Sequence, residues 1–247
     1  MTYQITVSPD FSPDHIFGWY HFNTWLQQNL DTRIHLELYS DFESQREAIL
    51  NDQIDLIYAN PYDASMLVRE KGFIAIARPR GISDEVVLTV NAESAFEEVE
   101  DLEQGLRLIS TEDPDINMIG YILIEPANLT VDNTTMQQVD TYPIVARKLL
   151  LGDADAGFFL RDAFNDLTRL TRNNLRVLVE SDISVIHHSL LVGPKLKQQS
   201  LDIQQMLLSM FDNKKGRDVL TSLGFAAWEA VDEEDTEFMI DIMDSLG

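Results

Sequence analysis

The chain has 247 residues, 45% of them hydrophobic, and 42 acidic against 18 basic side chains give it a formal charge of -24 at pH 7. That is enough apolar material for one large or two smaller domains, while so negative a field opposes binding to nucleic acid or an anionic membrane. Cysteine is absent, which excludes disulfides, thiolate metal sites and cysteine nucleophiles.

The opening MTYQITVSPDF runs straight into a strand, with no basic segment and no apolar run of signal length. As written the chain is expected in the cytoplasm, with the bacterial periplasm as the alternative if a signal was removed. No stretch reaches the ~18 to 20 apolar residues of a membrane helix, so no membrane insertion is expected.

Strands and helices alternate at short spacing. Gln4–Ser8 reads as a strand, followed by a loop Pro9–Asp14 and a helix from about His15 to Leu30, with Asp14 as its N-cap and Phe17, Trp25 and Leu26 available for the core. Arg33–Tyr39 alternates as a strand and Phe42–Asn51 reads as a helix. Then come a short apolar strand at Leu56–Ala59, a helix from Asp63 and a strand at Phe73–Ala77. Val86–Asn91 reads as a crossing segment. A second series follows, with strands at Leu106–Thr111, Met136–Asp140 and Ala156–Leu160, helices at Asn117–Glu125 and Pro143–Leu151, and a strand at Arg176–Glu180. Val185–Val192 returns as a second crossing strand, and helices fill Lys197–Met210, Lys214–Leu223 and Thr236–Leu246.

The second series repeats the first. AILNDQIDLIYANPYDASML (48–67) lies over KLLLGDADAGFFLRDAFNDL (148–167), with Leu50 on Leu150 and Asp55 on Asp155. Ser8 and Gly18 share the spacing of Ser110 and Gly120. In the turns, Asn51 and Gly152 are the residue types that reach positive φ most readily. The alternative is that any two βα units look alike; the shared order and the nearly equal offsets, 100 and 102 positions, favour two similar lobes. The pattern predicts an α/β protein with mostly parallel sheets, and two crossing strands make a two-strand hinge between lobes at 1–88 plus 189–247 and at 89–188.

Ligands of such sheets bind beyond the carboxyl ends of the strands, where loops enter helices. Four corners qualify: Pro9–Asp14, Asn60–Asp63, Asp113–Asn117 and Leu160–Asp162. From them the candidate ligand-binding residues are Pro9, Asp10, Phe11, Asn60, Pro61, Tyr62, Asp113, Asp115, Asn117, Tyr142, Phe159, Arg161 and Asp162. Tyr62, outside its strand, is the ligand-facing aromatic, and Tyr58 belongs to the core. Arg161 is a cation beside a corner, able to pair with a ligand anion or with Asp162 or Asp166 on the surface. His187 and His188, adjacent on a strand, point to opposite faces and take structural roles. No metal motif or cofactor motif occurs, nor do G-x-S-x-G, H-E-x-x-H or a phosphate-binding glycine loop, so neither an enzyme nor a metal site is expected.

Five segments together carry a resemblance: ITVSPDF, IDLIYANPYDASML, DLEQGLRLISTEDPDINMIGY, VARKLLLGDADAGFF and LTSLGFAAWEAVDEED. In order and spacing they resemble the phosphonate/phosphate-binding periplasmic proteins, type 2 substrate-binding proteins of ABC transporters, over nearly the whole chain. The resemblance implies a type 2 periplasmic-binding-protein fold, closing without catalysis on a small anion. A monomer serving an ABC permease or a sensor kinase follows from it. It also exposes a departure. Relatives follow the DP of the second-lobe loop with serines and a threonine that hold the phosphonate, where this chain has Asp115, Ile116, Asn117 and Met118 and one residue more before Gly120. The expected ligand is therefore a small polar solute, phosphonate-like or a related solute with an amine or neutral polar group. The alternatives are a cytoplasmic, ligand-free interaction module of the same fold, and an enzyme whose mark would be a buried carboxylate with a raised pKa.

Overall fold

The computed structural model describes Thr2–Leu246. Its strands are β1 (Thr2–Val7), β2 (Arg33–Leu36), β3 (Leu56–Ala59), β4 (Ile74–Pro79), β5 (Val86–Asn91), β6 (Arg107–Ser110), β7 (Thr135–Gln138), β8 (Ala156–Leu160), β9 (Leu175–Glu180), β10 (Ser189–Val192) and β11 (Trp228–Ala230). Its α-helices are α1 (Ile16–Leu30), α2 (Phe42–Leu50), α3 (Pro61–Ser65), α4 (Pro114–Ile124), α5 (Tyr142–Leu151), α6 (Arg161–Asp166), α7 (Arg169–Asn173), α8 (Ser200–Leu208), α9 (Lys214–Leu223) and α10 (Glu233–Leu246). The chain divides into two compact units, one containing the chain up to Ile82 together with His187–Asp244, the other Ser83–Ile186.

The first unit holds a six-stranded sheet in the order β11-β4-β10-β3-β1-β2. Trp19, Phe22 and Leu26 recur at helical spacing along α1 and bury one face of the helix with Ile5, Val7 and Leu56 of the sheet. Trp228 of β11, which was not expected as a strand, joins them, 5.7 Å from Phe22 between ring centroids. Phe17 was expected in the core, yet it is 74% exposed because it projects from the other side of α1. A second cluster, built on Ile49, Ile57, Leu67 and Phe73, also belongs to this unit.

The second unit holds a five-stranded sheet in the order β7-β6-β8-β5-β9. Val87, Ile109, Val145, Leu149 and Phe159 form a core cluster there. Three strands run parallel in each sheet, β2-β1-β3 in one and β7-β6-β8 in the other, and the remaining ladders are antiparallel. The sheets are therefore mixed. β5 and β10, expected to cross as hinge strands, are the antiparallel fourth strands of their own sheets, each entered just after the chain passes from one unit to the other. Neither follows a helix of its own unit, so no βαβ crossover fixes its direction.

The repeated aspartates have one role in both units. Asp55 exchanges backbone bonds with Gln4, its N–H donating to the Gln4 carbonyl at 2.9 Å while its Oδ2 accepts the Gln4 N–H at 2.9 Å. Asp155 does the same with Arg107, at 2.8 and 2.9 Å. The carboxylates thus clamp β1 to β3 in one sheet and β6 to β8 in the other, and each is completed by a cation, Lys195 at 2.8 Å or Arg107 at 2.6 Å. The repeated glycines allow close helix approach: a Cβ on Gly18 would meet the Ser222 carbonyl oxygen at 2.2 Å, and one on Gly120 the Phe158 ring at 2.4 Å.

Two local expectations change. Asp14 does not cap α1, because Pro13–His15 forms a 3-10 turn and the helix starts after His15. At the first repeated turn Asp52, not Asn51, takes positive φ (55°), while Gly152 does so at the second (76°).

Candidate functional site

Because β1 and β3 run parallel and β10 antiparallel, the end of β1, the end of β3 and the start of β10 lie at one end of the first sheet. This brings Ser8–Phe11, Asn60–Asp63 and His188 together. The Asp10 side chain is 5% exposed, and its Oδ2 lies 3.1 Å from Nε2 of His188. Burial raises the Asp10 carboxyl, but the charge and hydrogen bond of His188, together with its polar neighbours, hold the group below the usual carboxylate range. Ser8 and Asn60 add to the lowering, although Ser8 Oγ, Asp10 Oδ1 and Asn60 Nδ2 are buried without closing an aligned hydrogen bond. The His188 ring stacks on Tyr58, 5.3 Å between centroids; Tyr58 is buried in the core cluster. His187 instead faces the Ser189 hydroxyl at 3.0 Å.

Asn60 caps α3, its Oδ1 accepting from the Asp63 N–H at 2.9 Å, with Pro61 at the first helical position. Pro61 is buried and Tyr62 exposed. Phe11 packs on the first core, and Pro9 is half-buried in the same loop. Asp63 is buried, which pushes its carboxyl up, while a forked pair of bonds from Arg46 at 2.6 and 3.3 Å holds the rise back.

In the second unit the same geometry places the ends of β6, β7 and β8 with the start of β5 and the end of β9. Asp113 stands before α4, and its Oδ2 accepts from the Thr111 hydroxyl at 3.0 Å and from the Tyr142 hydroxyl in a very short bond. Burial pushes the Tyr142 phenol well above its usual range, and the Asp113 charge adds to the shift. Asn117 donates from its amide to the Thr111 and Asp113 carbonyls, both at 2.9 Å. Asp115 is 1% exposed in the first turn of α4, where the helix end favours a negative charge. Asp113, Asp115, Asn117 and Tyr142 thus form one corner. Phe159 lies beneath it, fully buried and stacked on Tyr142 at 5.8 Å.

Arg161 and Asp162 open α6 at the end of β8. The Arg161 N–H donates to the Glu85 carbonyl at 2.8 Å, and its guanidinium pairs with Glu180 at 3.3 Å, neither of the two surface partners expected for it. Residues that sequence reasoning left out of the candidate ligand-binding set are Ser8, Arg46, Asp63, Thr111 and His188. The matched spacing of Ser8 and Ser110 was a signal for the first of these; the others meet their partners only through the fold. Among the described residues no group of three or more His, Asp or Glu is placed to hold a metal ion, and no helix is long and apolar enough to cross a membrane.

The fold is shared with solved binding proteins. PhnD1 from Prochlorococcus marinus, solved with methylphosphonate, matches with a TM-score of 0.82 at 13% identity over 99% of this chain and 98% of that one. A binding protein of an ABC phosphonate transporter from Pseudomonas aeruginosa matches at 0.74 and 15% over 100% and 89%. The aliphatic sulphonate binding protein SsuA from Escherichia coli matches at 0.68 and 12% over 99% and 87%. No curated protein matches the sequence. The sequence model of the phosphonate periplasmic substrate-binding proteins of ABC transporters matches residues 5–236, and the chain belongs to that family of non-catalytic solute-binding proteins.

Proposed function

We propose that this protein binds a small organic solute for an ABC transporter, with the Asp10 corner of the first unit and the Asp113 corner of the second each a candidate contact for it. The solute presents an ammonium or another hydrogen-bond donor to the carboxylates there. One observation carries this reading: the first turn of α4, where the resemblance implies hydroxyls for a phosphonate, bears the buried Asp115, and the Thr111 and Tyr142 hydroxyls donate to Asp113. A carboxylate in that position disfavours an oxyanion and favours a donor. Asp10, held ionised beside His188, supports the same preference. In the first corner Asn60 and Tyr62 are the further candidate contacts, with Pro9, Phe11 and Pro61 as its frame; in the second it is Asn117, with Phe159 as the frame and Arg161 and Asp162 at its edge. The protein partner is the permease.

Thermal unfolding with three matched probes tests this. Ligand bound only by the native state at about 100-fold its Kd adds about 2.7 kcal/mol, so 2-aminoethylphosphonate is expected to raise Tm by several degrees, and ethylphosphonate and inorganic phosphate much less. Equal stabilisation by all three would contradict the preference. A second reading rests on the same hydroxyls being satisfied within their own corner: a cytoplasmic interaction module that has given up its solute. Silence with all three probes, together with co-purification of a basic protein, would select it.

A further inference from the structure

The aromatic ring of the first corner is held from behind. Tyr62 is 46% exposed, and the Arg46 guanidinium carbon lies 5.0 Å from its ring centroid and 5.3 Å from that of Phe42. Arg46 belongs to α2, whose Asp41 caps it through the Ser44 N–H at 2.7 Å. Its guanidinium therefore lies over both the Phe42 and the Tyr62 ring. The plane is fixed edge-on by Asp63, which takes Nε at 2.6 Å and Nη2 at 3.3 Å. Asp63 is itself fixed, since its N–H is held by Asn60 at the first turn of α3. An exposed tyrosine ordinarily keeps rotamer freedom, but here one face of the ring is occupied by a cation whose other contacts are all buried or half-buried.

We infer that Arg46 is a positioning residue that pre-orders Tyr62 as an aromatic wall of the solute corner, the ring's open face receiving the carbon part of the solute. The inference rests on the solute-binding reading above. A face already loaded with a guanidinium is poor ground for a second cation, so the wall takes C–H groups while the donor of the solute is left to the carboxylates. Ordering the ring in advance removes a cost otherwise met at binding, and its loss weakens affinity by about 2- to 10-fold. Lysine does not replace arginine here, because a point ammonium cannot both fork to Asp63 and spread over two rings.

The test is fluorine NMR of the full chain labelled with 3-fluorotyrosine, with Tyr62→Phe to assign the signal. Exposed Tyr20 serves as the reference for an unheld ring, and the buried Tyr58 and half-buried Tyr142 report on the fold. In the unsubstituted protein the Tyr62 signal is expected away from that of Tyr20. In Arg46→Met it moves to the Tyr20 position while Tyr58 and Tyr142 stay, and in Arg46→Lys it moves part of the way. The inference is overturned by a Tyr62 signal that coincides with that of Tyr20 from the start, by one that Arg46→Met leaves in place, or by a general shift of all tyrosines, which would mean a structural role only. These readings need no solute, so failure here is distinct from failure of the solute-binding reading, which the thermal probes decide.

Discussion

At the scale of single residues, the aspartates at 55 and 155 show how a sequence repeat becomes a structural device. Each lies just before a central strand, β3 or β8, and returns its carboxylate to the parallel neighbour, β1 or β6, where a backbone N–H would otherwise lack a partner. Truncating Asp55, whose side chain is 6% exposed, leaves the Gln4 N–H unsatisfied. Asp55→Ala is expected to cost about 1–3 kcal/mol in denaturant unfolding, and Asp55→Asn distinctly less, because an amide oxygen still accepts. Equal losses in the two variants would show that the Lys195 ion pair, not the strand clamp, is what matters. The repeat was legible because both members keep an aspartate before an apolar run. Its meaning was not, because the acceptor role joins residues 51 and 48 positions apart.

At the scale of elements, the chain's two passages between units are fastened by Glu85. Its carboxylate accepts the Ser181 hydroxyl, the Ile183 N–H at 3.0 Å and the Ser184 N–H at 2.7 Å, joining the segment before β5 to the one after β9. Burial raises this carboxyl, but the bonds from Ser181, Ile183 and Ser184 together prevail and hold it below its ordinary range. A carboxyl with a depressed folded-state pKa stabilises the fold above the ordinary glutamate range and loses that contribution as the pH falls through the folded value. Unfolding of the unsubstituted protein should therefore become easier below about pH 4, with Glu85→Gln shallower over the same interval; superimposable pH profiles would show that Glu85 carries none of the slope. The strands were mostly legible from apolar runs, and β5 was bounded correctly at Val86–Asn91. Its direction and its sheet were not, since a fully buried strand carries no mark of which neighbours it pairs with. The short β11 escaped notice because Trp228 and Ala230 flank a single glutamate.

At the scale of the whole molecule, the order and spacing of five segments carried the family, which the match over residues 5–236 establishes. The corners were also legible, as loops at strand ends. Their chemistry was not, because it depends on pairs brought together from afar, Asp10 with His188 across 178 positions and Asp113 with Tyr142 across 29. A charge of -24 agrees with a protein that recruits a donor more readily than an anion. The measurement that tests the central claim most directly is native mass spectrometry of the protein incubated with 2-aminoethylphosphonate, set against its denatured mass. The account predicts a native mass higher by one small organic solute, either the probe or one carried through purification, that is lost on denaturation. A native mass equal to the denatured mass would contradict it.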